Sequence, residues 1–254
     1  MNQKPPAGGF RLSKSGEKGE ENVIVQETET GFILIRQHDH GQISGDFADH
    51  WVDGGRPGPS LRTAVRYHDV GWEELDGEVR RLHPKTGKPY SFVDFPMAEK
   101  LTAYRHGIDR VEAMDSYAGC LCSIHYASFF KGTSDPLELR FLEEEKRRRE
   151  RLKERMTERE RETLEKDWDF LRLCDDLSLF VCLNPPGRNV HPWYQEGIRY
   201  QEGKLLPEWE DEGTLRMKEG LIRGSFTIRI PFCQVDHSGQ PEGKGEHRVV
   251  VKAG

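Results

Sequence analysis

The chain has 254 residues, 32% of them charged, and a formal net charge of −6. That length is enough to bury a large core, and the acidic balance gives no reason to expect nucleic acid or acidic lipid as a partner. Of five cysteines, Cys120, Cys122, Cys174 and Cys182 fall inside apolar helical patterns and none forms a C-x-x-C pair. They suit reduced core thiols, and with no apolar run of membrane-spanning length and no apolar leader, a cytoplasmic protein is expected.

Residues 1–21 are rich in Gly, Lys and Glu and read as a disordered tail, leaving 22–254 for a single domain. The segment NVIVQETETGFILIRQ then reads as two short strands, about 23–36, around a turn containing Gly31. A helix is expected over His40–Trp51, with Ile43, Phe47 and Trp51 on one face, ended by the Gly- and Pro-rich stretch 54–59. Leu61, Ala64, Val65, His68 and Trp72 recur at helical spacing and predict a buried face carrying the dipeptide His68-Asp69. Residues 83–96 hold too many turn formers for a regular element and read as a surface loop.

Another helix is expected over roughly Asp109–Phe130. From Leu137 to Leu183 the pattern is strongly helical, and Thr157 with Glu160 predicts a capping box that divides it into two antiparallel helices. The charge-dense middle alternates Glu with Arg and Lys at helical spacing, which describes a solvated face laced with ion pairs. Asn184-Pro185-Pro186-Gly187 stops the helix, and SFTIRIPFCQV and HRVVVKA offer two more strands within about 225–252. The expected fold is mainly α, a helical core over about 38–184 with a small accessory β-sheet from the terminal strands.

Several metal-competent groups sit on apolar helix faces. His40 shares its face with Ile43, Ser44, Phe47 and Trp51, and His125 shares one with Ala118, Leu121, Cys122 and Phe129. Asp175 falls between Leu171 and Leu179. A buried carboxylate needs a cation or strong donors, because leaving water costs it several kcal/mol. Its neighbour Asp176 has Arg172 four residues back as a partner. His38, His50, His237 and His247 carry no separable signal.

The order His, His-Asp, His, Asp resembles the pattern of the HD-domain superfamily. The wording at RQHDHGQISGDFADHW, YHDVGW, SIHYASFF and CDDLSLFVCLNPPG is closer still to an uncharacterised bacterial family, domain of unknown function 3891. The resemblance implies an HD-like helical bundle in which His40, His68, Asp69 and Asp175 surround a divalent metal, Mn, Fe, Mg or Zn, as one or two ions. It makes His125 a ligand of a second metal or a contact to substrate, with Asp69 and His125 as the catalytic pair. The implied activity is hydrolysis of a small phosphorylated molecule. Two alternatives stand beside it: a di-iron oxygenase of the same fold, for which His83, His106 and His125 are candidate further ligands, and a catalytically silent protein used for ligand binding or interaction. Lys85 and Lys88, in the loop after the HD pair, are candidate phosphate clamps, and Arg188 and His191 have the same standing.

Overall fold

A computed structural model describes residues 23–73, 75 and 82–254. The expected disordered tail, residues 1–21, lies outside the described residues. Strands β1 (Val23–Glu27) and β2 (Gly31–Arg36) form the foreseen antiparallel hairpin, and β2 runs directly into α1 (Gln37–His50). Then come α2 (Pro59–Tyr67), a short 3-10 turn at Val70–Trp72, α3 (Met97–Met114), α4 (Ser116–Ser128), α5 (Pro136–Lys153) and α6 (Glu158–Leu183). The C-terminal part is all strand: β3 (Ile198–Tyr200), β4 (Gly203–Leu205), β5 (Glu208–Asp211), β6 (Thr214–Met217), β7 (Ser225–Asp236) and β8 (Pro241–Ala253).

The expectation of a mainly α bundle with a small accessory sheet is overturned. A six-stranded sheet in the order β1-β2-β7-β8-β6-β5, and a second sheet of β3 and β4, make this a mixed α/β architecture. All neighbours in the large sheet are antiparallel except β6 and β8. The sheet was underestimated because much of it is polar. β5 reads EWED, and the first half of β8 reads PEGKGEH, pairing with β7 while most of its residues are exposed. Apolar alternation is clear only where the sheet meets the helices, as at Phe226, Ile228 and Ile230 of β7. Those side chains join the helical residues in one continuous core.

Two helices also differ from expectation. The stretch foreseen as one helix over Asp109–Phe130 is broken at Asp115, whose extended backbone ends α3 and whose carboxylate accepts from the Ala118 N–H to cap α4. The stripe Leu61–Trp72 is not one helix either. α2 stops at Tyr67, His68 is its C-cap, and Trp72 reaches the core from the 3-10 turn. The capping box at Thr157 and Glu160 forms as foreseen. The charged face of α5 is tied by ion pairs within itself, as at Arg140–Glu144, and across to α3, where Arg148 meets Asp109 and Glu112.

Three contacts fix the elements that carry the candidate residues. Arg66 of α2 reaches Asp46 (3.0 Å) and Asp49 (2.8 Å) on α1. Gln26 of β1 is buried and donates to the Cys182 carbonyl (2.7 Å) at the end of α6, satisfying an otherwise unpaired helix terminus. Between α3 and the 3-10 turn, backbones touch: a Cβ on Gly71 would lie 2.0 Å from the Ala103 carbonyl oxygen, and one on Gly107 would lie 2.8 Å from Gly71 N. Any side chain at either position would force the two apart. No helix among the described residues is long and apolar enough to cross a membrane.

Candidate functional site

Four polar side chains converge from three places in the chain. His40 is on the buried face of α1 with Ile43, Ser44 and Phe47. His68 and Asp69 sit at the exit of α2, and Asp175 is on α6 one turn before the buried Ser178 and Leu179. His40 Nε2 lies 3.2 Å from both Asp69 Oδ2 and Asp175 Oδ1. His68 Nε2 lies 3.3 Å from His40 Nε2, 3.4 Å from Asp175 Oδ1 and 3.6 Å from Asp69 Oδ2. Donor atoms of His40, His68 and Asp175 all fall within 4.8 Å of one another, a group that could hold a metal ion. His125 on α4 adds its Nε2 at 3.6 Å from the second carboxylate oxygen of Asp175.

The far sides of these groups are held. His68 Nδ1 donates to the Val65 carbonyl (2.7 Å). The Ser178 hydroxyl donates to the Asp175 carbonyl (2.9 Å), so its oxygen accepts from His40 Nδ1. With both Nδ1 atoms acting as donors, both Nε2 atoms turn towards the carboxylates, which is how metal-binding histidines are usually oriented. Tyr126 Oη donates to Asp69 Oδ1 at 2.7 Å and leaves Oδ2 facing the histidines. The donor set of two imidazoles and two carboxylates therefore fits a divalent cation, with the orientation supplied by the protein.

The electrostatics are those of a site that wants positive charge. Burial opposes charge on His40, yet Asp175 and Asp69 outweigh it and hold the imidazole up at about 9. His68 is raised in the same sense against burial by Asp69 and Asp175. Burial also opposes charge on Asp175, but His40 and His68 keep it well below the ordinary carboxylate range, and Asp69 is lowered likewise by His68 and His40. His125 behaves differently: burial pushes it down to about 4, so it is neutral near pH 7. Protons on His40 and His68 thus stand where a metal cation would.

A cavity of about 70 Å³ opens beside these groups. His40, Asp69, His125 and Asp175 line it with the rings of Trp72, Tyr104 and Phe129 and with Lys100. Sequence reasoning missed three contributors. Ser178 and Tyr126 share apolar faces with Asp175 and His125, and a lone hydroxyl there looks like ordinary core. Lys100 lies in a stretch to which no element was assigned, although Lys100, Tyr104, Gly107 and Val111 share one helical face, all of them buried.

Other candidates lie elsewhere. Lys85 and Lys88 are exposed and do not line this cavity, and Lys88 pairs with Glu27 (2.5 Å). His106 is exposed on α3, and the His83 ring packs 4.8 Å from that of Tyr90. Arg188 is exposed, and His191 packs against Trp193. Asp176, foreseen beside Arg172, accepts from Tyr194 Oη (3.1 Å), while Arg172 pairs with Asp169.

No curated protein matches this chain, and no solved structure does. The family model described as "Protein of unknown function (DUF3891)" matches residues 23–237, which include His40, His68, Asp69, His125 and Asp175. The match spans most of the chain, and the chain belongs to that family.

Proposed function

We propose that this protein is a metal-dependent hydrolase of a small phosphorylated substrate, of the HD-domain type. One observation carries the reading: Nε2 of His40 and of His68 meet the Asp175 carboxylate within 4.8 Å, from elements separated by more than a hundred residues. A buried cluster of that composition has few purposes other than cation binding. His40, His68 and Asp175 would hold the metal, with Asp69 beside them. Two imidazole nitrogens favour Fe, Zn or Mn over Mg. Asp175 presents Oδ1 to the two histidines and Oδ2 to His125, which would stand beside the bound metal.

A bound metal supplies Lewis acidity towards a phosphoryl oxygen and makes a water more acidic. The chain's own groups do the rest. Asp69, fixed by Tyr126, orients that water and accepts its hydrogen bond. His125, kept neutral, donates a hydrogen bond to the substrate, and the aromatic walls limit bulk water. His106 is exposed and the His83 ring packs against Tyr90, and neither lines the cavity, whereas His125, the third histidine behind the oxidative alternative, stays beside Asp175.

Ser178→Ala is expected to weaken metal binding roughly 10–100-fold without removing a ligand, because His40 Nδ1 loses its acceptor. Calorimetric titration with Mn reads this directly. The function itself is tested by elemental analysis of the purified protein together with a phosphomonoester panel, with and without chelator. Bound transition metal and chelator-sensitive phosphate release are expected. Protein that holds no metal, takes up none and releases no phosphate would return the chain to the silent-fold alternative.

A further inference from the structure

We infer that Lys100 is the residue that grips the substrate's phosphoryl group, in the cavity that Asp69, His125 and Asp175 also line. The inference rests on the phosphohydrolase reading of that site and names the part of it that recognises the anion.

Lys100 is only 3% exposed, and its Nζ donates to the backbone carbonyls of Phe92 (2.8 Å) and Val93 (3.2 Å). An ammonium has three N–H donors, and these carbonyls use two. Among the described residues no carboxylate forms an ion pair with it; Asp94 and Glu138 act on it only at a distance. A buried cation without a counter-charge is costly. The cost is raised by placement in the first turn of α3, where the helix dipole presents its positive end. Burial lowers the ammonium to about 8, so near pH 7 it still carries charge.

An anionic ligand removes that cost, and the cavity gives it room beside Lys100. The cavity volume of about 70 Å³ is well above the roughly 10–15 Å³ that a single water needs. A terminal phosphate is the anion that the phosphohydrolase reading supplies to it. The surrounding rings of Trp72, Tyr104 and Phe129 lower the local dielectric and strengthen its attraction to Lys100. A purely structural role, pinning the loop at Phe92 and Val93 to α3, uses the two carbonyl bonds and does not need the charge.

The charge is therefore what the test removes. Lys100→Gln keeps an N–H donor for the carbonyls but not the ammonium. Titration of the full chain with inorganic phosphate is expected to give at least tenfold weaker binding in Lys100→Gln than in the parent. Equal affinity in the two proteins, or no phosphate binding by the parent, overturns the assignment. The comparison is made in Mn-loaded and in chelator-treated protein. A chain that takes up no metal then overturns the metal reading, while a Lys100-dependent phosphate affinity still supports this one. Should the variant not fold, a crystal of the parent soaked in tungstate decides: an oxyanion within hydrogen-bond distance of Lys100 Nζ supports the inference, and tungstate bound elsewhere or nowhere refutes it.

Discussion

Asp175→Asn is expected to abolish stoichiometric binding of a divalent metal, whereas Asp176→Asn leaves it close to the parent's. Asp175 offers one oxygen to His40 and His68 and the other to His125, so it is the group on which three imidazoles converge. An amide there keeps the shape but loses the charge, and its NH₂ donors oppose both imidazolium and metal. The loss should exceed the roughly 10–100-fold that supporting partners of metal ligands are worth. Asp176 sits about 100° further round α6, and Tyr194 Oη donates to it. Its amide variant keeps an oxygen that can accept from that tyrosine and loses only the charge on the bond, seen as at most a small drop in melting temperature. Elemental analysis of the two variants, purified together with the parent, reads the difference. Metal retained by Asp175→Asn and lost by Asp176→Asn would place the site on the wrong face of α6.

The second large effect is on stability. Chelator should lower the melting temperature of metal-loaded protein, and the drop should widen as pH rises from 6 to 9. His40 is raised above its ordinary value of 6.5 to about 9. Its charged form thus stabilises the metal-free fold fully below pH 6.5, and that contribution is lost as pH rises through about 9. The carboxylates work from the other side. Asp69 and Asp175 are lowered, so their contribution is present above the ordinary value of 3.8 and disappears only in stronger acid.

Metal binding follows the opposite course to His40, because a proton on Nε2 must leave before the nitrogen can coordinate. A metal present at a hundred times its dissociation constant adds about 2.7 kcal/mol, or roughly 5–10 °C for a chain of this size. At pH 6, with His40 and His68 protonated, most of that gain should vanish. Unperturbed histidines would put the competition near 6.5, so a transition found only there would mean that the ion pairs with Asp69 and Asp175 do not form in solution. Differential scanning calorimetry across the pH series makes the comparison.

The residues that converge were visible because each contradicts its surroundings. His40, His125 and Asp175 interrupt apolar faces, and a polar group in such a place must have a partner. What periodicity could not provide was the backbone between them. His68 and Asp69 looked like the last turn of one long helix, but α2 ends before them, and it is this exit that lets the Asp69 side chain turn back towards His40. The break between α3 and α4 depends on one aspartate cap, Asp115, inside an otherwise continuous pattern. The sheet was hidden for a different reason. Edge strands such as β5 need few apolar residues, and long hairpin arms such as the start of β8 hold their register by backbone pairing with few apolar side chains. Lys100 escaped notice because lysine is read as exposed unless its helical face is traced through Tyr104 and Val111.

The strand order carries a consequence for the timing of assembly. His40 stands on a helix that grows straight out of β2, and β2 is held on one edge by β1 and on the other by β7. A ribosome that has just released Asp175 has therefore produced all the converging side chains, but not the strand that anchors the first of them. At roughly 5–20 residues per second, several seconds pass before β7 emerges. During that interval one edge of β2 is unpaired, and α1 rests on α2 and α6 without β7, through contacts such as Arg66 with Asp46 and Asp49. A chain cut short before Ser225 would keep every one of those ligands and lose the strand that pairs with β2, from which the His40 helix starts.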